Sequence, residues 1–267
     1  MKTLSKILSL FLLVTVLAAC VPATQPTPIA EPTQTQVVSR DTEEFPWWND
    51  AVFYEIFVRS FRDSDGDGIG DFNGVTEKLD YLQSLGVKGL WLMPVNPSPS
   101  YHGYDVTDYY AVNPEYGTLD DFKLLLEEAH ARDIKVIIDL VLNHSSSQHP
   151  WFQAAVTPGS EYHDWYVWRE EDPGTRGPWG QTTWYQAGNG QYYYAIFWDQ
   201  MPDLNYANDA VQEEAKKIAA FWLKDVGIDG FRLDAVRYLA EDEKLADSSS
   251  NHAYLEEWGK YYRSIAP

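Results

Sequence analysis

Gly230-Phe231-Arg232-Leu233-Asp234-Ala235-Val236-Arg237-Tyr238 is the stretch whose reading decides the fold. It is a short apolar strand ending in an arginine and an aspartate two residues apart. Side chains on a strand alternate faces, so Arg232 and Asp234 point one way and Phe231 and Leu233 the other. A carboxylate beside a guanidinium keeps its pKa low and stays ionised at neutral pH, which suits attack on carbon better than proton carriage. A buried structural ion pair fits the stretch equally well by itself.

Working outward, a helix is expected from about Asp209 to Lys224, stopping near Gly227. Upstream, Val52–Val58, Gly89–Met93 and Lys135–Leu142 read as strands, and Thr76–Leu85 as a helix stopped by Gly86. A further helix starts at Thr118, where Asp121 answers the capping hydroxyl, and buries Phe122, Leu125, Leu126 and Ala129 on one face. Strands alternating with helices imply parallel pairing, and parallel strands closing on themselves give an α/β barrel. Between His144 and Asp203 the alternation breaks. That stretch is dense in Trp, Tyr, Gly and Pro, and it is expected to form an irregular β-rich subdomain over one end of the barrel.

The 267 residues carry 20 basic and 40 acidic side chains, a net charge of -20. This balance argues against nucleic acid and suits a neutral substrate or metal ions. With 11 Trp and 18 Tyr, the chain has more aromatic surface than a core requires, and flat aromatic faces suit sugar rings, although packing accounts for most of them. At the N-terminus, Lys2 and Lys6 precede an apolar run from Ile7 to Leu17 that is short for a membrane span. Leu17-Ala18-Ala19 before Cys20, the sole cysteine, resembles a bacterial lipoprotein signal, which implies cleavage before Cys20, lipid on its sulfur and export to the cell envelope. A leftover membrane helix is the alternative. The Pro-, Thr- and Gln-rich residues 21–45 read as an extended tether.

Four stretches together resemble the α-amylase family of glycoside hydrolases. They are Tyr101-His102-Gly103-Tyr104-Asp105, Asp139-Leu140-Val141-Leu142-Asn143-His144, Met201-Pro202-Asp203-Leu204-Asn205, and Gly230 to Tyr238. The resemblance implies a (β/α)8 TIM barrel with a subdomain inserted after the third strand. In that frame 46–144 begin the barrel, 145–204 form the insert, and 205–267 continue it through the fourth βα unit. It also implies an α-glucan or maltooligosaccharide substrate, with Asp234 attacking the anomeric carbon and Arg232 keeping it ionised. His102 and His144 would hydrogen-bond the sugar, Tyr104 would lie against its ring, and Arg237 would join the substrate contacts. Asp139 and Asn143 would order the site, and Asp203 would fix the end of the insert. Other readings are transfer or isomerisation by the same fold, and a surface glycan-binding lipoprotein without catalysis. No protein partner is expected.

Asp63-Ser64-Asp65-Gly66-Asp67-Gly68-Ile69-Gly70-Asp71 spaces oxygen ligands at alternate positions, with Asp63, Asp65, Asp67, Asp71 and the Ile69 carbonyl as candidates. Gly74 stands at the twelfth position, so the loop is not an EF-hand; similar loops in the oligosaccharide-cleaving branch of the family imply a structural Ca²⁺. An acidic solvated turn is the alternative. This loop does not lie between a strand and a helix N-terminus, so it is not read as a phosphate cradle. Many α-amylases carry a histidine at the position of Tyr238 that helps an asparagine like Asn143 hold a second calcium, so that site is not expected. Members of the family specialised for α-1,6 bonds tend to carry valine after the nucleophile, so by the same resemblance Ala235 implies a preference for α-1,4 linkages. A retaining enzyme needs a second carboxyl about 5–5.5 Å from the nucleophile, which the family places after the fifth strand. Four barrel strands are read here, and Glu256 and Glu257 lie on a helix. The chain is therefore expected to be an N-terminal piece lacking its acid, inactive as it stands, with open strand edges.

Overall fold

The computed structural model describes residues 46–240 and 248–265. The leader, Cys20 and the tether lie outside the described residues. Strand β1 (Phe53–Ile56) leads through a single helical turn, α1 (Val58–Phe61), into α2 (Phe72–Glu77) and α3 (Leu79–Ser84). Then come β2 (Gly89–Leu92), α4 (Leu119–His130) and β3 (Lys135–Leu140). After β3 the chain forms α5 (Pro150–Ala155) and three short strands, β4 (Trp168–Arg169), β5 (Trp184–Gln186) and β6 (Tyr192–Tyr194). It returns through α6 (Asp209–Ala220), β7 (Gly230–Leu233) and α7 (Ser249–Ile265).

Two sheets result. One is parallel, in the order β1-β2-β3-β7, and the other antiparallel, in the order β4-β6-β5. Trp91 pairs with Ile137, and Asp139 with Arg232. Because strand faces repeat every two residues, this register puts Trp91, Asp139 and Arg232 on one face. Leu90, Leu92, Val136, Ile138 and Leu140 take the other, where they are buried among the core residues that α2, α3, α4 and α6 contribute.

The local signals explain most boundaries. Thr118 accepts from the Asp121 backbone N–H while the Asp121 carboxylate accepts from that of Thr118, closing the capping box expected there. The expected helix Thr76–Leu85 begins earlier and is broken. Asp71 caps α2 by accepting from Gly74 N–H at 2.6 Å, and Lys78, at φ -103° and ψ 3°, interrupts the path before α3. The helix expected over Asp209–Lys224 becomes π-helical over Phe221–Val226 and stops at Gly227, whose φ of 96° is one that glycine adopts freely. Strand β3 ends at Leu140 rather than Leu142, with the Asp234 N–H donating to the Leu140 carbonyl at 3.1 Å.

Candidate active site

The shared face of β2, β3 and β7 brings three side chains from distant sequence together. Arg232 Nη1 donates to Asp139 Oδ1 at 2.7 Å and also to Asp234 Oδ1. Its guanidinium sits 5.1 Å from the centre of the Trp91 ring, within cation–π range. Trp91 Nε1 donates to the other Asp139 oxygen at 2.9 Å, and the Tyr104 hydroxyl reaches the same oxygen at 3.4 Å. Burial pushes the Asp139 carboxyl above the ordinary carboxylate range, and the bonds from Trp91 and Arg232 oppose that rise. For Arg232 burial works downward, but the hydrogen bond and charge of Asp139, joined by Asp234, raise its pKa further and hold it cationic.

Asp234 leaves this cluster at the end of β7. The next residue, Ala235, has φ 52° and ψ 21°, a left-handed conformation costly to a residue with a Cβ. The chain turns there, and Asp234 remains on the wall of a cavity of about 370 Å³ lined also by His102, Tyr104, His144, Phe197, Trp198 and Met201.

Each histidine has a defined polarity. His102 Nδ1 accepts from the Tyr104 backbone N–H at 3.2 Å and lies 3.1 Å from the Ser100 hydroxyl, which places a ring proton on Nε2. Gly103 makes this turn feasible: its φ is 84°, and a Cβ there would meet Pro94 Cβ at 2.9 Å. His144 Nδ1 lies 3.3 Å from the Asn143 amide nitrogen and Nε2 lies 3.2 Å from the Tyr104 carbonyl. One tautomer satisfies both contacts, with Nε2 donating and Nδ1 accepting. Burial lowers the His144 pKa to about 4, leaving the ring neutral near pH 7. His144 also lines the cavity beside Asp234. Asn143 Oδ1 is buried and has no hydrogen-bond partner among the described residues.

Buried tyrosines brace the segment after β3. Tyr206 donates to the Leu142 carbonyl and Tyr109 to the His144 carbonyl, at 2.7 and 2.6 Å, and the Tyr166 and Ser145 hydroxyls lie 2.7 Å apart. Asp105, also buried, accepts from the hydroxyls of Ser98, at 2.5 Å, and Ser100. Asp203 bridges to His144 through the backbone, donates its N–H to the Tyr194 carbonyl and accepts from Ile196 N–H at 3.1 Å, tying the antiparallel sheet to the end of β3. Arg237 lies exposed on the turn after Asp234 and is not among the cavity's lining residues. Tyr238 packs edge-on against Trp179 and Phe197. Glu256 and Glu257 form ion pairs with Lys260 and Lys216 on the exposed side of α7.

The acidic loop lies apart from the cavity. Asp63, Asp65 and Asp71 each bring a carboxylate oxygen within 4.8 Å of the others, whereas Asp67 accepts from Ile69 N–H at 2.7 Å and stands outside that group. The backbone N–H groups of Gly66 and then Gly68 lower the Asp63 pKa.

Trp91, Phe197, Trp198 and Met201 were not expected at the site. For Trp91 a signal existed: in Gly89-Leu90-Trp91-Leu92 it alternates with two core leucines and so faces away from the helices.

Residues 55–265 match the family model described as "Alpha amylase, catalytic domain". The chain is 51% identical over 223 residues to Alpha-amylase 3 of Dictyoglomus thermophilum, covering 83% of this chain and 42% of that protein. It is 51% identical over 214 residues to a trehalose synthase of Pimelobacter sp., covering 74% of this chain and 36% of that one. The crystal structure of the α-amylase from H. orenii superposes with a TM-score of 0.74 at 48% identity, over 81% of this chain and 46% of that chain. The chain thus spans about two fifths of the length of these curated relatives.

Proposed function

The chain belongs to the α-amylase catalytic-domain family, and from that premise we propose that it forms part of a retaining α-glucoside hydrolase acting on α-1,4-linked glucans or maltooligosaccharides. The observation that carries the reading is the Asp234 carboxylate, held by Arg232 at the wall of a cavity that also presents His102, Tyr104 and His144. In the first step an Asp234 oxygen attacks the anomeric carbon, the glycosidic bond breaks, and its electron pair leaves with the oxygen, which a carboxylic acid protonates. In the second step that carboxylate takes a proton from water, and the water oxygen displaces Asp234. Arg232 offers Asp234 a fixed cationic partner, and His102 Nε2 offers an N–H for a sugar hydroxyl.

Several finer statements belong to the same proposal. The parallel sheet is the first half of a (β/α)8 barrel, and residues 145–204 are a subdomain inserted after its third strand. The proton donor is supplied by sequence beyond the two fifths of the relatives matched here. Asp63, Asp65 and Asp71 hold Ca²⁺. Two ligands at 2.3–2.6 Å from one ion stand at most about 5 Å apart, so their 4.8 Å grouping of hard oxygen donors fits. The bound ion would cross-link the loop. Cys20 carries lipid and anchors the protein to the cell envelope; among the described residues no helix is long and apolar enough to cross a membrane. The likeness to a trehalose synthase also favours examining transfer, in which a second sugar replaces water in the second step.

Asp234→Asn tests the central claim in the full-length gene product. Expected are loss of maltotetraose turnover with retained binding, and, in the parent protein, a slow-turnover fluoroglucoside adduct on Asp234. An adduct on another side chain refutes the assignment. With maltose as substrate, glucose as the sole product indicates hydrolysis, and rearranged disaccharides indicate transfer.

A further inference from the structure

Trp179 stands 62% exposed against Phe197, a residue of the cavity wall, yet its position is tightly specified. It occupies the tip of a small hairpin closed by the Arg176–Thr182 bridge, with Gly177 N–H donating to the Gln181 carbonyl at 3.0 Å. Gly180 N–H returns to the Gly177 carbonyl at 2.9 Å, at a φ of 79°. Gln181 then locks the tip: its Oε1 accepts from Trp179 N–H at 2.9 Å and its Nε2 donates to the Ile196 carbonyl at 2.8 Å. The indole rests against Phe197 at 5.9 Å between ring centres and against Tyr238 at 5.8 Å; these two meet edge-on at 5.5 Å. Phe197 lines the cavity, and Tyr238 lies four residues past Asp234.

Exposing an indole forgoes burial of a large apolar surface. A turn that only had to close the hairpin would be served by a polar residue at its tip. Here the backbone, Gln181 and two aromatic neighbours, one of which lines the cavity, hold the ring while most of its surface remains open. A flat apolar surface of this kind is complementary to the C–H face of a pyranose, and the net charge of -20 is compatible with an uncharged ligand.

We infer that Trp179 is a stacking platform for a further glucosyl unit of an α-glucan, beyond the unit held against Asp234, and so sets chain-length preference. This rests on the glucan reading above. Tyr238 and Phe197 act as positioning residues for it.

Calorimetric titration of the Asp234→Asn protein with the series from glucose to maltohexaose tests the inference, since ligand is then not consumed. Affinity is expected to step upward at one chain length. Trp179→Ala should abolish that step, weakening the longer sugars by about five- to tenfold while leaving the shorter ones unchanged. Trp179→Phe should restore most of it, which separates loss of the ring from a disturbed hairpin. Equal affinities of the parent and Trp179→Ala proteins at every length overturn the platform and leave the glucan reading standing. Absence of binding by either protein at any length overturns both. An equal loss for all sugars, glucose included, overturns the platform by making Trp179 a general support of the cavity.

Discussion

Acidification should destabilise this protein in a window set by two buried imidazoles. Burial lowers the pKa of both His144 and His149 from 6.5 to about 4. Each stays neutral in the fold, whereas in the unfolded chain it takes up a proton below about 6.5. Their contribution is therefore complete above pH 6.5, falls as the pH drops toward 4, and is lost below that. At 1.36 kcal/mol per pH unit for each proton, each imidazole is worth on the order of 3 kcal/mol, and both together steepen the fall by roughly 2.7 kcal/mol per unit in mid-window. Asp139 works the other way, because burial raises its pKa and the fold takes a proton before the unfolded chain does. Asp63, Asp121 and Asp133, lowered respectively by the Gly66 backbone, the Thr118 hydroxyl and Lys88, lose their contributions only below about pH 4. His149 can be removed without touching the cavity. It caps α5 by accepting from Trp151 N–H at 3.1 Å, a task an asparagine oxygen performs well. Urea unfolding followed by tryptophan emission between pH 7.5 and 4.5 should show His149→Asn losing about 2–3 kcal/mol less than the parent over that range. The comparison is of slopes, because removing a ring packed 4.1 Å from that of Trp151 has its own cost. Equal slopes, or a parent stability flat across the window, would refute the argument.

Trp91→Phe keeps a ring beneath Arg232 but removes the donor to Asp139; in the full-length enzyme it should lower kcat by roughly tenfold with KM little changed, the equivalent of one hydrogen bond to a charged group at about 1.5 kcal/mol. A KM effect alone would place Trp91 in substrate binding. Ala235→Gly relieves the left-handed backbone and should raise stability by roughly 1 kcal/mol in urea unfolding; a loss would show that the methyl group's packing outweighs the strain. If the acidic loop holds Ca²⁺, Tm should climb with added Ca²⁺ and fall with EDTA, and Asp63→Asn with Asp65→Asn should erase the dependence. A dependence that survives both changes would move the ion elsewhere.

Strands β2 and β3 were legible because Leu90, Leu92, Val136, Ile138 and Leu140 follow a two-residue period, and the α4 start because Thr118 and Asp121 stand at capping spacing. The pairing of Arg232 with Asp234 was legible for the same periodic reason. Asp139 was expected to order the site, and alternation turns Trp91 away from the helices, but which residues meet Arg232 depends on strand register, which local sequence does not encode. The tyrosines show another limit. Composition did not say which rings pack and which face sugar; Tyr109, Tyr166 and Tyr206 pack, buried with their hydroxyls aimed at the segment after β3. The break at Lys78 and the π-helical end of α6 had no sequence punctuation.

The contacts among Trp91, Asp139 and Arg232 join positions 48 and 93 residues apart. Closing loops of that length costs entropy before any contact repays it. A slip of one residue in either β2 or β7 would turn the indole or the guanidinium toward the helices. Any small molecule that requires the assembled cluster would then count the correctly registered fraction of a preparation, a quantity that helix content measured by circular dichroism does not report.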